Sequence, residues 1–238
     1  MTHPSWIYPQ LISPGDHMPL EEFLDRWNQM PDLKRAELIE GTVYMPSPVS
    51  LRHMQWDNCI QALCGIYRLR TRGTQAGTNG TWLMNNSSAP QPDCSISILP
   101  EFGGRSTVKG GLALGAPEFV AEICHSSRAY DLGPKLALYQ SAGVDEYLAV
   151  LVEERRFEWR VLVKGSYELL APGKVGIYRS RILPGLWLDS SAFWNESPEL
   201  LQTLERGLAS PEHAAFVARL AAARESVPLI GTPTSGSQ

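Results

Sequence analysis

The chain has 238 residues, 43% hydrophobic and 19% charged, which is close to an average globular composition and excludes disordered or collagen-like classes. Its 21 Lys and Arg against 25 Asp and Glu leave a net charge of -4, so the molecule lacks the basic field of a general nucleic-acid binder and any phosphate-binding surface must be local. That length supports one well-buried domain with extensions.

No run of 18 or more apolar residues is present, and the opening MTHPSWIYPQ has neither the basic start nor the apolar stretch of a signal peptide. A cytoplasmic location without a membrane partner is the expectation. The four cysteines, Cys59, Cys64, Cys94 and Cys124, contain no CxxC pair, and Cys59 and Cys64 point to different sides of one helix. Buried thiols are expected rather than a zinc site.

Pro19 in a first turn, followed by Leu20, Phe23, Leu24 and Trp27 at helical spacing, predicts a short helix that Pro31 ends. AELIEGTVYMPSP then reads as extended chain around a glycine turn, with Glu40 at the bend. From His53 to about Arg70, the apolar set Trp56, Ile60, Leu63 and Tyr67 forms the stripe of an amphipathic helix lying on a sheet. The turn-rich TRGTQAGTNG and NNSSAPQ segments flank Thr81 to Met84 and lead into PDCSISIL.

In Asp93 to Ile98 the residues alternate, so Asp93, Ser95 and Ser97 share a polar face and Cys94, Ile96 and Ile98 the apolar one. After a flexible GGRSTVKGGLALG connection, Pro117 to Ile123 predicts a second strand with Glu118, Val120 and Glu122 on one face. Asp131 reads as an N-cap, with Pro134 in the first turn and Gly143 as the stop. Strands over Tyr147–Val152, Phe157–Val163, Tyr167–Leu170 and Val175–Tyr178 form a β-meander completing the sheet. Ser197-Pro198-Glu199 and Ser210-Pro211-Glu212 open two C-terminal helices. Their apolar faces suit either a two-fold interface of a homodimer or packing onto the core.

Two carboxylates near the ends of two strands, followed by a helix with a lysine in its first turn, suit metal-assisted hydrolysis. A hard cation such as Mg²⁺ (or Mn²⁺) takes oxygen ligands from one or two carboxylates, with water and phosphate completing its shell. Asp93 and Glu122 are the candidate metal ligands, and Lys135 the candidate for orienting water or stabilising charge on a phosphate.

Four segments, AELIEGTVYMPSP with the following His53, QPDCSI, PEFVAEICHSS and RAYDLGPKLALYQSAGVDEYLAV, resemble the Uma-type restriction endonuclease family of the PD-(D/E)XK nuclease superfamily. The resemblance implies an α/β restriction-endonuclease-like core over residues 18–190, a central mixed sheet flanked by helices, with Glu40, Asp93, Glu122 and Lys135 in active-site positions. Residues 1–17 would be an N-terminal extension, 191–226 the C-terminal helices and 227–238 a flexible tail. The superfamily lysine normally stands two residues after the second acid, where this chain has Cys124, so the lysine has moved to the following helix. His125 departs from the relatives' pattern of Ser followed by Pro and takes no assigned role.

Each signal has a plainer structural reading. A Pro-Asp pair is often only a turn, Glu122 a solvent-facing charge, and Lys135 an i, i+4 partner of Asp131 worth ~0.3 kcal/mol. Glu40 can occupy a turn and His53 a helix start without function. Arg68, Arg70 and Arg72 favour the helix macrodipole, and are also, with His53, the candidate nucleic-acid contacts. Trp82, Trp159 and Trp187 are expected in the core. GxSxG, GxxxxGK[ST] and HExxH motifs are absent. The expectation is metal-dependent hydrolysis of DNA; the alternative is a catalytically inactive module of the same fold that binds nucleic acid or a protein partner.

Overall fold

The computed structural model describes residues 11–45 and 49–226. In chain order the elements are α1 (Leu20–Asn28), β1 (Glu37–Ile39), β2 (Thr42–Tyr44), α2 (Leu51–Arg70), β3 (Thr74–Gly77), β4 (Trp82–Leu83) and β5 (Cys94–Ile98). A 3-10 turn (Pro100–Phe102) precedes β6 (Thr107–Lys109), β7 (Leu112–Leu114) and β8 (Phe119–Cys124). Then come α3 (Arg128–Tyr130), a π-helical turn (Asp131–Lys135), α4 (Leu136–Ala142), β9 (Glu146–Leu151), β10 (Arg156–Val163) and β11 (Ser166–Leu169). The chain closes with β12 (Ile177–Arg179), β13 (Trp187–Asp189), α5 (Ser190–Trp194), α6 (Glu199–Leu208) and α7 (Pro211–Glu225).

The central sheet has six strands in the order β11-β10-β9-β8-β5-β3. Only β8 and β9 run parallel, and the helical segment α3 to α4 makes the crossover between them. Alternation along β8 divides the molecule into layers. Phe119, Ala121 and Ile123 face the main core under α2, whereas Val120 and Cys124 face a second core with Tyr139 of α4 and Tyr147. The α2 stripe of Trp56, Ile60, Leu63 and Tyr67 lies in the main core as its spacing predicts. The sheet is therefore buried on both faces, and a polar side chain on the α4 face is desolvated unless it opens into a cleft.

The hairpin β1–β2 turns at Glu40 and Gly41, both at positive φ (49° and 78°), which is the two-residue turn that matches strand twist. It packs with α1 in a satellite core containing Phe23, Leu38, Val43 and Ala89. Exchange of backbone hydrogen bonds between Leu38 and Ala89 ties the hairpin to the segment entering β5.

Ser95 and Ser97, on the polar face of β5, are buried, because the small sheet β4-β7-β6 covers that face and Trp82 Nε1 donates to Ser95 Oγ at 3.2 Å. Several expectations need correction. Asp131 does not cap a helix: winding starts at Arg128, and Ser127 Oγ donates to Asp131 Oδ2 at 2.6 Å. Pro134 lies inside a π-helical turn, whose wider winding accommodates a residue without an N–H.

The meander is also shorter than expected. β9, β10 and β11 complete the sheet, but the chain breaks at Gly176 (φ 76°) and β12 pairs with β13 in a separate ribbon. Three helices, not two, follow. Asp189 caps α5 by accepting from Ala192 N at 2.9 Å, and Ser210 caps α7. Their apolar side chains, including Phe193, Leu204, Phe216 and Leu220, join the main core, so those faces are buried within the chain. Trp82 and Trp159 are buried, and Trp187, half-buried, lies under the Arg179 guanidinium. The cysteines are free thiols, all but Cys59 buried. Among the described residues no helix is long and apolar enough to cross a membrane.

Candidate functional site

The register of β5 against β8 pairs Cys94 with Ala121, which sets Asp93 beside Glu122 just beyond the end of the ladder. The two residues interlock: Ile123 N donates to Asp93 Oδ2 at 2.8 Å, and Asp93 N faces Glu122 Oε2 at 3.4 Å. Neighbouring strands thus bring these acids together on the α4 side of the sheet. Glu122 is 2% exposed.

Lys135, in the last position of the π-helical turn, reaches down to the same point. Its Nζ lies 2.9 Å from Glu122 Oε1 and 3.0 Å from Glu37 Oε1, and Asp131 is not its ion-pair partner. Tyr139, one turn further along the helix, donates its hydroxyl to Glu122 Oε1 at 2.6 Å. Cys124, two residues after Glu122, is buried, and burial pushes its thiol pKa far upward.

Glu37 joins this cluster, and Glu40 does not. Glu40 is exposed at the hairpin turn, where it meets Ser88. Glu37 accepts from Gln91 N at 2.6 Å, so the segment leading to Asp93 is clamped to the hairpin. Sequence reading missed both Glu37 and Tyr139. The available signals were a carboxylate inside the apolar run Ala36 to Ile39 and an aromatic four residues after Lys135.

Glu37, Asp93, Glu122 and Lys135 line a cleft of about 500 Å³ together with His53, His125 and Asp131, while Tyr139 supports Glu122 from behind it. His53 Nε2 stands 3.6 Å from Asp93 Oδ2. Arg68, Arg70 and Arg72 do not line the cleft. At ~1.5 Å rise per residue, α2 carries Arg68 and Arg70 roughly 20–25 Å away from His53, to the opposite end of the helix.

The cluster is overloaded with negative charge: Glu37, Asp93, Glu122 and Asp131 surround one ammonium and one imidazole. Burial, opposed by Lys135 and reinforced by Asp93, Asp131 and Glu37, drives the Glu122 pKa well above the carboxylate range. Asp131 is pushed up to about 6 by burial, against the pull of Lys135 and Ser127. Burial acts to lower Lys135, but Glu122, Glu37, Asp131 and Asp93 outweigh it and hold its pKa well above the usual lysine value. Asp93 stays low: burial is overcome by His53, Lys135 and the Ile123 amide. A cation placed between Asp93 and Glu122 would relieve this crowding.

The donor set suits a hard divalent ion. Glu122 Oε1 is engaged by Lys135 and Tyr139 and Asp93 Oδ2 by Ile123, which leaves Asp93 Oδ1, and Glu122 Oε2 with only the long 3.4 Å contact from Asp93 N, as the oxygen donors. Among the described residues no group of three or more His, Cys, Asp and Glu side chains is arranged to hold an ion. Two carboxylates with water and phosphate are the usual supply for Mg²⁺, which keeps much of its hydration shell.

No curated protein matches the chain. The fold is similar to the crystal structure of a "putative nuclease" from Anabaena variabilis, with a TM-score of 0.61 at 15% sequence identity, over 75% of this chain and 98% of that one. Residues 20–191 match the Uma2 family, described as "Putative restriction endonuclease". That span contains α1, the whole central sheet and every residue of the cluster, and the chain belongs to the Uma2 family.

Proposed function

We propose that the cleft is the active site of a metal-dependent endonuclease that hydrolyses DNA phosphodiester bonds, a displaced-lysine form of the PD-(D/E)XK pattern. The observation carrying this reading is the 2.9 Å contact between Lys135 Nζ and Glu122 Oε1 beside Asp93. A lysine from a separate helix meets the two strand-borne acids, as a shared phosphate site requires.

In this reading Asp93 and Glu122 hold Mg²⁺ or Mn²⁺, which when bound would polarise a phosphoryl oxygen and lower the pKa of attacking water. Lys135, kept charged by its carboxylate neighbours, acts as a fixed cation toward the transition-state phosphate rather than as a base. Glu37 and Glu122 fix where its charge stands. Tyr139 holds one oxygen of Glu122 so that the other faces Asp93.

One observation favours the alternative of a catalytically silent module that binds nucleic acid or a protein partner. Lys135 is 5% exposed and paired with two buried carboxylates, an arrangement that also serves purely structural ion clusters. Incubation of plasmid and single-stranded DNA with Mg²⁺, Mn²⁺ or EDTA separates the two. The enzyme cuts only with metal and loses cutting in Asp93→Asn; the silent module binds DNA and cuts under no metal.

A further inference from the structure

Three basic side chains from three elements lie beside the cleft, His125 as one of its lining residues and Arg52 and Arg128 next in sequence to the lining residues His53 and Ser127. Arg52 is the second residue of α2, His125 follows the end of β8, and Arg128 is the first residue of α3. All three are held by one turn. Glu153, between β9 and β10, sits 3.2 Å from Arg52 Nη1 and 2.9 Å from His125 Nε2, and its neighbour Glu154 sits 2.9 Å from Arg128 Nε.

We propose that Arg52, His125 and Arg128 form a binding site for a DNA backbone phosphate next to the scissile one, and that Glu153 and Glu154 occupy it as phosphate mimics until DNA displaces them. The proposal rests on the nuclease reading of the cleft and adds to it the surface that grips the substrate and the acids that screen it.

The turn is built to stay in place. Val152 N donates to Cys124 O at 3.2 Å, which fixes the turn to the end of β8. On its far side Arg155, at φ 48°, donates to Trp194 O and stacks on the Trp194 ring at 5.7 Å. The glutamates are therefore presented at a set position, yet their ion pairs are open to solvent, with Arg52 and Glu153 side chains 61% and 59% exposed. Exposed pairs of this kind add little to stability and exchange readily. A phosphate offers guanidinium groups the same planar acceptor edge as a carboxylate. It would also meet the positive end of the 20-residue α2, whose cap Ser50 and first-turn His53 line the cleft.

The test is anisotropy of a fluorescein-labelled 20-base-pair duplex, titrated in EDTA so that nothing is cut, over a series of KCl concentrations. Glu153→Gln/Glu154→Gln is expected to bind about three- to tenfold tighter than wild type at low salt, the scale of two or three surface ion pairs. Arg52→Ala/Arg128→Ala is expected to weaken binding and lower the slope of log affinity against log salt by about 0.9, the share of the one phosphate no longer neutralised. In the quadruple variant the glutamine gain should vanish. Unchanged affinity on neutralising the glutamates overturns the proposal, as does an equal gain without the arginines or a duplex that no form binds. A protein that binds as expected but cuts nothing with Mg²⁺ overturns the nuclease reading alone; one that cuts DNA but gains no affinity overturns this inference alone.

Discussion

Lys135 Nζ and Glu122 Oε1 meet at 2.9 Å across 13 residues of sequence, and both side chains are almost wholly buried. An exposed i, i+4 pair with Asp131 would have been worth only ~0.3 kcal/mol. The buried pair is different: removing the ammonium leaves Glu122 and Glu37 uncompensated, a loss on the order of 3–5 kcal/mol. Lys135→Ala is therefore expected to lower stability by about that amount in urea unfolding and to reduce metal-dependent cleavage by about two orders of magnitude, assayed below its transition temperature. Wild-type turnover from the folded variant would remove Lys135 from the chemistry.

Glu37 and Glu40 lie three residues apart and differ in every contact that matters to the cleft. Glu37 Oε1 receives Lys135 Nζ and Gln91 N, whereas Glu40 points outward from a turn. Glu37→Gln is expected to slow cleavage by about 10–100-fold, the usual cost of losing a partner that orients an active-site group. Glu40→Gln should remain within about twofold of wild type. Reversal of that order in cleavage rates would return the role to the hairpin turn.

How far the sequence revealed this arrangement depended on the range of each interaction. The α2 stripe and the shared face of Asp93 with Ser95, and of Glu122 with Val120, follow from periods of 3.6 and 2 that any local reading recovers. Their approach could be expected because the two strands were expected to be neighbours. Glu37 was hidden because Glu40, three residues on, stands at the conspicuous glycine turn, and only long-range contacts, with Gln91 and Lys135, show which carboxylate turns inward. Tyr139 read as one more apolar position of its helix. Pro134 has the same appearance at a helix start as inside a π-helical turn. Strand propensity over Val175–Tyr178 said nothing of its partner, so the departure of β12 from the sheet was invisible.

The C-terminal helices provide a pH-dependent contribution remote from the cleft. His213 of α7 is buried, with Nδ1 2.8 Å from Leu208 O and Nε2 2.9 Å from Thr71 Oγ1, so the neutral ring donates at Nδ1 and accepts at Nε2. Burial, only partly opposed by the Leu208 carbonyl, lowers its pKa below the ordinary value of 6.5. Above 6.5 neither the folded nor the unfolded chain protonates this group. As pH falls below 6.5 the unfolded chain takes up a proton that the folded one refuses, so stability declines until the folded pKa is passed. Urea midpoints of wild type and His213→Gln, compared from pH 7.5 to 5, should show the wild type losing more stability on acidification. Parallel curves would mean that His213 titrates normally in the folded protein.

Asp93 offers the most direct reading of the metal hypothesis, because a ligand that binds only the folded chain stabilises it in proportion to its saturation. At a concentration of about 100 times Kd the gain is ~2.7 kcal/mol, which for a chain of this size raises the melting temperature by about 5–10 °C. Mg²⁺ or Mn²⁺ is expected to give that increment in wild type. Asp93→Asn removes one charged donor and also weakens the His53 contact, whose 3.6 Å approach to Asp93 Oδ2 would favour protonated His53 in the metal-free protein. The variant should therefore fold without metal yet gain little or nothing when metal is added. KCl at matched ionic strength serves as the control for non-specific ionic effects. An equal increment in wild type and Asp93→Asn would show that the cation binds elsewhere, and the pairing of Asp93 with Glu122 would then be purely structural.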